Sequence, residues 1–308
     1  MGRVRRRLVP LVLAVAVLSA CTAEPEPAAS LPPVAGSPAA PPAASSAPPA
    51  ASPAPPAAPI PAGTAPARSF AVETRTLKLR RGAGRPLTTT VWAPRGDGPF
   101  PLILFSHGLG GRPADYRELL TAWARAGFVV AAPAYPFTSR SAEQFNVLDV
   151  LNQPADASYV ITQTLAAVPG ADGERVAAAG HSAGGVTTIG LFSNARDDRL
   201  RAGVVLAGRQ VLPQPFTGPS APLLFVHGRK DATVAYSEGR AAFDAVQWPK
   251  AFVSVTEGGH TVGGRALGIV ATTSTDFWRW TLYGDDSARE RLKGDATRGG
   301  TATYIDDL

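Results

Sequence analysis

From about Ser69 to the C-terminus, short apolar runs alternate with stretches of helical spacing. Phe70 to Leu79 alternates loosely between apolar and polar positions, and Thr88 to Trp92 is rich in β-branched side chains. Both patterns predict early antiparallel strands. Pro101 to Ser106 and Phe128 to Ala132 are short, continuous apolar runs, as expected of strands buried on both faces. Between them, Asp115 to Ala126 has helical spacing and stops at Gly127, while Ala155 to Val168 predicts a helix ending before Pro169. An apolar run from Arg175 to Ala179 predicts another buried strand, and a helix-compatible run from Val186 to Phe192 follows it. Further strands are expected at Ala202 to Ala207, Leu223 to Val226 and Phe252 to Val255, with helices around Ser237 to Val246 and Thr275 to Leu282. Strands that alternate with helices predict an α/β domain: a mostly parallel central sheet with helices on both faces.

The N-terminal part has neither rhythm. Four arginines fall within residues 3 to 7, an apolar run extends from Leu8 to Val17, and Leu18-Ser19-Ala20-Cys21 follows. A charged start, a short apolar stretch and small residues at a cleavage point predict an export leader over residues 1–20. The run is shorter than the roughly 20 apolar residues that span a bilayer. The four residues ending at Cys21 resemble the lipobox of bacterial lipoproteins, in which the cysteine becomes the first mature residue and receives a diacylglyceryl group. The resemblance implies that Cys21 is a lipid attachment site and that the chain is exported and held on the outer face of the cell membrane. Cys21 is the only cysteine, so an internal disulfide is excluded. The arginine pairs leave the general and the twin-arginine export routes open. Residues 22 to about 67 are almost entirely Pro, Ala, Ser and Gly and hold half of the 30 prolines. Such a segment cannot build a core and favours extended geometry. It predicts a semi-stiff tether over residues 21–68 and leaves residues 69–308 as the folded domain. Of the net charge of +6, four units belong to the leader arginines, so the processed chain would carry about +2. No basic stripe interleaved with aromatics is present, and a nucleic-acid partner is not expected.

The pentapeptide Gly180-His181-Ser182-Ala183-Gly184 lies between a predicted strand and a predicted helix. In that setting G-x-S-x-G predicts a nucleophile elbow. A serine hydroxyl is weakly nucleophilic and must be lifted clear of the sheet and set beside a base. Gly180 and Gly184 permit the close approach that the turn demands. Such a serine needs a base, an acid that orients the base, and an oxyanion hole. The chain has four histidines. His181 flanks the nucleophile and is expected to pack beneath the turn. His107 and His227 each end a buried strand ahead of a glycine and read as structural. His260, in Glu257-Gly258-Gly259-His260, follows the last expected strand and completes the chain order serine, acid, histidine. Asp231, in the loop after Leu223 to Val226, is the expected acid; Glu257 is the fallback, and Asp244 is expected on a solvated helix. The backbone N–H groups of Ala183 and of Leu109, the latter in Ser106-His107-Gly108-Leu109-Gly110-Gly111, are the expected oxyanion-hole donors. The long connection from Phe137 to Pro154 has a length typical of functional loops. Its Phe137, Phe145, Val147 and Leu148 are candidates for an apolar rim around an acyl chain.

Together these residues resemble the α/β-hydrolase fold over roughly residues 70 to 285. The Phe105-Ser106-His107-Gly108-Leu109-Gly110 loop resembles that of platelet-activating-factor acetylhydrolases and dienelactone-hydrolase-like esterases. The spacing of Ser182, Asp231 and His260 resembles that of bacterial cutinases and polyester hydrolases. The chain departs from dienelactone hydrolases in carrying Ser182 in place of a cysteine. It departs from the acetylhydrolases in having no acid after Leu206. The resemblance implies hydrolysis of a small-molecule or polymeric carboxylic ester, with no cofactor and no metal, and favours short or medium acyl groups. Two other readings stay open: an amidase or peptidase with the same triad, and a cell-surface binding protein on a hydrolase fold. Loss of Ser182, Asp231 or His260 would have favoured the second.

Overall fold

A computed structural model describes residues 65–308; the expected leader, Cys21 and nearly all of the tether lie outside the described residues. Among the described residues nine strands form one sheet: β1 (Val72–Arg80), β2 (Pro86–Pro94), β3 (Phe100–Ser106), β4 (Val129–Pro133), β5 (Ala171–His181), β6 (Leu200–Leu206), β7 (Leu223–Gly228), β8 (Lys250–Val255) and β9 (Ala302–Asp307). Their spatial order is β1-β2-β4-β3-β5-β6-β7-β8-β9. β1 with β2, β2 with β4, and β8 with β9 pair antiparallel, and all other pairs are parallel. This is the mostly parallel sheet of an α/β-hydrolase fold.

The described residues also form six α-helices beside the sheet: α1 (Arg117–Arg125), α2 (Gln153–Ala167), α3 (Ala183–Leu191), α4 (Tyr236–Ala245), α5 (Gly264–Tyr283) and α6 (Asp286–Ala296). Side chains alternate across a strand, so β3, buried along its whole length, feeds two cores at once. Ile103 and Phe105 join Trp123 of α1 and Phe277 and Trp278 of α5 on one face. Leu102 and Leu104 join Val160 and Ile161 of α2, Ile189 of α3 and Phe243 of α4 on the other. Continuous apolar strands are therefore the sequence signature of a sheet sandwiched between helix layers.

Several boundaries differ from expectation. The expected helix from Asp115 to Ala126 is split into a 3-10 turn, Pro113–Tyr116, and α1. Helix α5 begins at Gly264, eleven residues before the expected Thr275, because glycines and β-branched residues dilute its periodic signal while Ile269 and Val270 pack into the core. The chain then adds α6 and β9, so β8 is not the last strand. Packing also starts before Ser69: Ala65 is buried, and Arg279 donates to the carbonyl of Pro66 at 3.4 Å. Among the described residues no helix is long and apolar enough to cross a membrane.

The parallel strands all end at one edge of the sheet. The loops that follow β3, β4, β5, β6, β7 and β8 therefore share a rim, the usual place for a site in an open α/β sheet.

Candidate active site

β5, near the centre of the sheet, delivers its last residue, His181, directly into a sharp turn, and α3 begins at Ala183. Ser182 occupies the turn with φ 56° and ψ −117°. A non-glycine residue at positive φ is strained by about 1–3 kcal/mol and persists only where its surroundings impose it. The neighbouring glycines show what imposes it. A Cβ on Gly180 would lie 2.1 Å from the Gly184 carbonyl oxygen, and one on Gly184 would lie 1.9 Å from that of Ser106. Strand and helix thus approach to a distance that only glycine allows. The Ser182 N–H donates to the carbonyl of Leu206 at 2.9 Å, which fastens the turn to β6.

The loops after β7 and β8 bring the expected acid and base to this serine. His260 Nε2 lies 2.8 Å from Ser182 Oγ, and His260 Nδ1 lies 2.8 Å from Asp231 Oδ2. A carboxylate only accepts, so Nδ1 carries the imidazole hydrogen and Nε2 is left unprotonated towards the hydroxyl. The other carboxylate oxygen, Oδ1, accepts the N–H groups of Thr233 at 2.8 Å and Val234 at 2.9 Å. Burial alone would raise the Asp231 carboxyl. The hydrogen bonds from His260, Val234 and Thr233 outweigh it and hold the group below its ordinary 3.8. Glu257 does not take part: it is exposed and pairs with Lys230. Asp244 lies on the outer surface of α4, paired with Arg240 at 3.0 Å.

The β3–α1 loop follows Ser106. Leu109 sits in it, exposed, with Gly110 at φ 66° beside it. Ala183 is the first residue of α3, where an N–H has no helical acceptor. Among the described residues no backbone acceptor takes the N–H of Leu109 or Ala183. His107 braces the loop from below. Its Nδ1–H donates to the Gly108 carbonyl at 2.8 Å, and its Nε2 accepts the Tyr135 N–H at 3.1 Å. Burial lowers its pKa, consistent with a neutral structural ring. His227 is also buried, but it touches the acid: its Nε2 lies 3.0 Å from the Val234 carbonyl and 3.2 Å from Asp231 Oδ2. His181 is buried beneath the turn as expected, and both of its ring nitrogens are hydrogen-bonded.

Of the expected rim residues, Phe145, Val147 and Leu148 are exposed, whereas Phe137 is half-buried with the Arg85 guanidinium 5.3 Å from its ring centre. Among the described residues the remaining exposed large apolar side chains are Leu109, Leu151, Val211 and Leu212. All seven lie on loops after β3, β4 and β6. Leu151 and Leu212 line a shallow crease of about 10 Å³ together with Val186, one helical turn beyond Ser182.

Sequence reasoning did not find what holds the β4–α2 connection. A 3-10 turn, Val147–Leu151, carries Asp149, and α2 carries Asp156, both buried. Arg85, from the β1–β2 turn, bridges the two carboxylates. Gln153 spans from Thr138 at 2.5 Å to Thr187 of α3 at 2.6 Å. The partners are far apart in sequence, and nothing local announces them.

The family model described as Chlorophyllase matches residues 61–207. That span contains Leu109, Ser182 and Ala183 and stops at the end of β6, before Asp231 and His260. It supports an α/β-hydrolase, as the sheet does, and with it hydrolysis of esters as the class of activity. No curated protein matches the chain.

Proposed function

We propose that the chain is a serine esterase that cleaves carboxylic esters through an acyl-enzyme. The reading rests on one observation above the others: the continuous hydrogen-bonded series Asp231–His260–Ser182, at 2.8 Å and 2.8 Å, that ends on the strained residue of the elbow. His260 Nε2 takes the hydroxyl proton as Ser182 Oγ attacks the ester carbonyl carbon. Asp231 holds the Nδ1–H tautomer and stabilises the imidazolium. The N–H groups of Leu109 and Ala183 receive the developing oxyanion. His260 then passes the proton to the leaving alkoxide, which departs as the alcohol. A water, activated by the same imidazole, adds to the acyl carbonyl, and the acid leaves with Ser182 restored. The exposed apolar side chains of the rim favour an ester with a short or medium acyl group, or a polymeric one, lying along an open surface.

The sequence supports a wider proposal for the rest of the chain: lipid attachment at Cys21 after removal of residues 1–20, and a Pro/Ala-rich tether holding the domain outside the cell membrane. The test of the enzymatic reading is hydrolysis of p-nitrophenyl esters of increasing acyl length by the full-length protein beside its Ser182→Ala variant. Hydrolysis that falls by at least about a thousandfold in the variant supports it. Equal rates in the two proteins overturn it, and a folded protein inert towards every ester but active on anilides makes it an amidase.

A further inference from the structure

His181 is a buried, titratable side chain for which the proposed mechanism has no use, yet both of its nitrogens are engaged. Its Nε2 lies 2.7 Å from the carbonyl oxygen of His260. A carbonyl can only accept, so Nε2 carries the hydrogen and donates it. Its Nδ1 is then a bare lone pair, and the hydroxyl of Tyr116, 2.8 Å away, donates to it. The same hydroxyl oxygen accepts the N–H of Gly108 at 3.1 Å. Each assignment forces the next. The result is a one-directional series from Gly108 N–H through Tyr116 and His181 to the His260 carbonyl.

This series joins two loops that have no regular structure of their own. Gly108 directly precedes Leu109, one of the two proposed oxyanion donors. His260 sits in a glycine-rich loop whose backbone anchors, the Thr256 N–H on the Thr301 carbonyl and the Lys230 N–H on the Gly258 carbonyl, each at 2.9 Å, all precede it. The packing leaves no slack: a Cβ on Gly108 would meet His181 Nδ1 at 3.1 Å, Tyr116 Oη at 3.2 Å and Ser182 Cβ at 3.3 Å. The rings of His181 and His260 are 4.9 Å apart, and Tyr116 packs on Phe105 at 4.7 Å.

We propose that His181 is a positioning residue which, through Tyr116, locks the oxyanion loop and the His260 loop into one unit about Ser182. The proposal rests on the triad reading for its kinetic consequence but not for its geometry. Burial pushes the His181 pKa down to about 4 and that of the Tyr116 hydroxyl up to about 12, so both stay neutral at working pH and the donor order holds. A neutral His181 also avoids placing a second cation against the imidazolium that forms on His260.

The two nitrogens can be separated by substitution. His181→Phe keeps a ring and loses both bonds. His181→Gln retains a donor near the Nε2 position, whereas Tyr116→Phe removes the link to Gly108 and leaves the donor to His260 intact. In the full-length protein, with active sites counted by titration with diethyl p-nitrophenyl phosphate, His181→Phe is expected to lower kcat on p-nitrophenyl butyrate about tenfold or more with KM little changed. His181→Gln is expected to recover most of that loss, and Tyr116→Phe to lose a smaller factor. A second readout is independent of activity. The proton on His260 Nδ1, seen as a downfield imidazole resonance by NMR, should be sharp in the wild type and exchange-broadened in His181→Phe. Wild-type kcat per titrated site in both His181→Phe and Tyr116→Phe, or an unaltered His260 resonance in folded His181→Phe, overturns the proposal. An inert wild type that still shows the resonance change would instead count against the esterase reading and leave the positioning role standing.

Discussion

Asp231→Asn changes one atom and tests the wiring of the site more sharply than a truncation. The carboxylate receives three donors: the N–H groups of Thr233 and Val234 on Oδ1 and the Nδ1–H of His260 on Oδ2, while His227 Nε2, 3.2 Å from Oδ2, donates to the Val234 carbonyl instead. An asparagine has a single acceptor oxygen. If that oxygen keeps the two backbone donors, its NH2 group faces His260 Nδ1. The imidazole can satisfy it only by moving its hydrogen to Nε2, where it points at Ser182 Oγ and the base is lost. If the amide turns the other way, its NH2 opposes two backbone N–H groups that cannot adapt. The first arrangement therefore prevails. The wrong tautomer in a Ser-His-Asp site reduces kcat by about ten-thousandfold, or about 5 kcal/mol of barrier. Folding should change by only about 2 kcal/mol or less, since the backbone hydrogen bonds survive. The assay is kcat on p-nitrophenyl butyrate, normalised to folded protein by circular dichroism. A folded Asp231→Asn protein within tenfold of wild type would mean that Asp231 does not set the His260 tautomer. The same carboxylate makes a pH prediction. Its pKa lies below the ordinary 3.8 in the folded chain, so the stability it contributes is present above that value and is lost as pH falls through the folded one. The wild type should therefore lose melting temperature on acidification below about pH 4 more steeply than Asp231→Asn, and parallel curves would refute the assignment.

Three further outcomes follow from the packing. Gly184→Ala places a methyl group 1.9 Å from the backbone oxygen of Ser106, which cannot move away, so the protein should lose several degrees of melting temperature or fail to fold; an unchanged transition contradicts the elbow geometry. Arg85→Met leaves the buried Asp149 carboxylate without its cation, while Asp156 keeps Arg81 at 2.6 Å, and should cost about 3 kcal/mol in urea unfolding, whereas a change below about 1 kcal/mol would mean that the pairs are dispensable. Leu148→Ser should raise KM for p-nitrophenyl octanoate a few-fold and leave the acetate untouched, as expected when one exposed apolar side chain stops covering an acyl chain; equal effects on both esters would remove Leu148 from the rim.

The parts of this protein legible in its sequence are those whose signal is local. Phe100–Ser106 and Leu223–Gly228 are continuous apolar runs because both of their faces are covered, and they read directly as strands. Ser182 was legible because the elbow needs two glycines at fixed spacing, and His260 because only one histidine follows the last expected strand. Helix α6 left a fainter trace: Ala288, Leu292 and Ala296 mark one buried stripe at four-residue spacing in an otherwise charged segment, and Asp285 caps it by accepting the Ala288 N–H. β9 lies at the edge of the sheet and is only partly covered, so its alternation is weak. Contacts that join distant segments left no local trace at all. Arg85 meets Asp149 and Asp156 across more than sixty residues, Tyr116 meets His181 across sixty-five, and each looks like an ordinary surface or core residue until the fold brings them together.

The most direct measurement of the central claim is covalent. The full-length protein is mixed with diethyl p-nitrophenyl phosphate, digested, and its peptides are weighed by mass spectrometry while residual hydrolysis of p-nitrophenyl butyrate is followed. One diethylphosphoryl group per chain is expected, carried on Ser182, with activity lost in step with labelling. Label on another residue, or full activity after Ser182 is occupied, would contradict it.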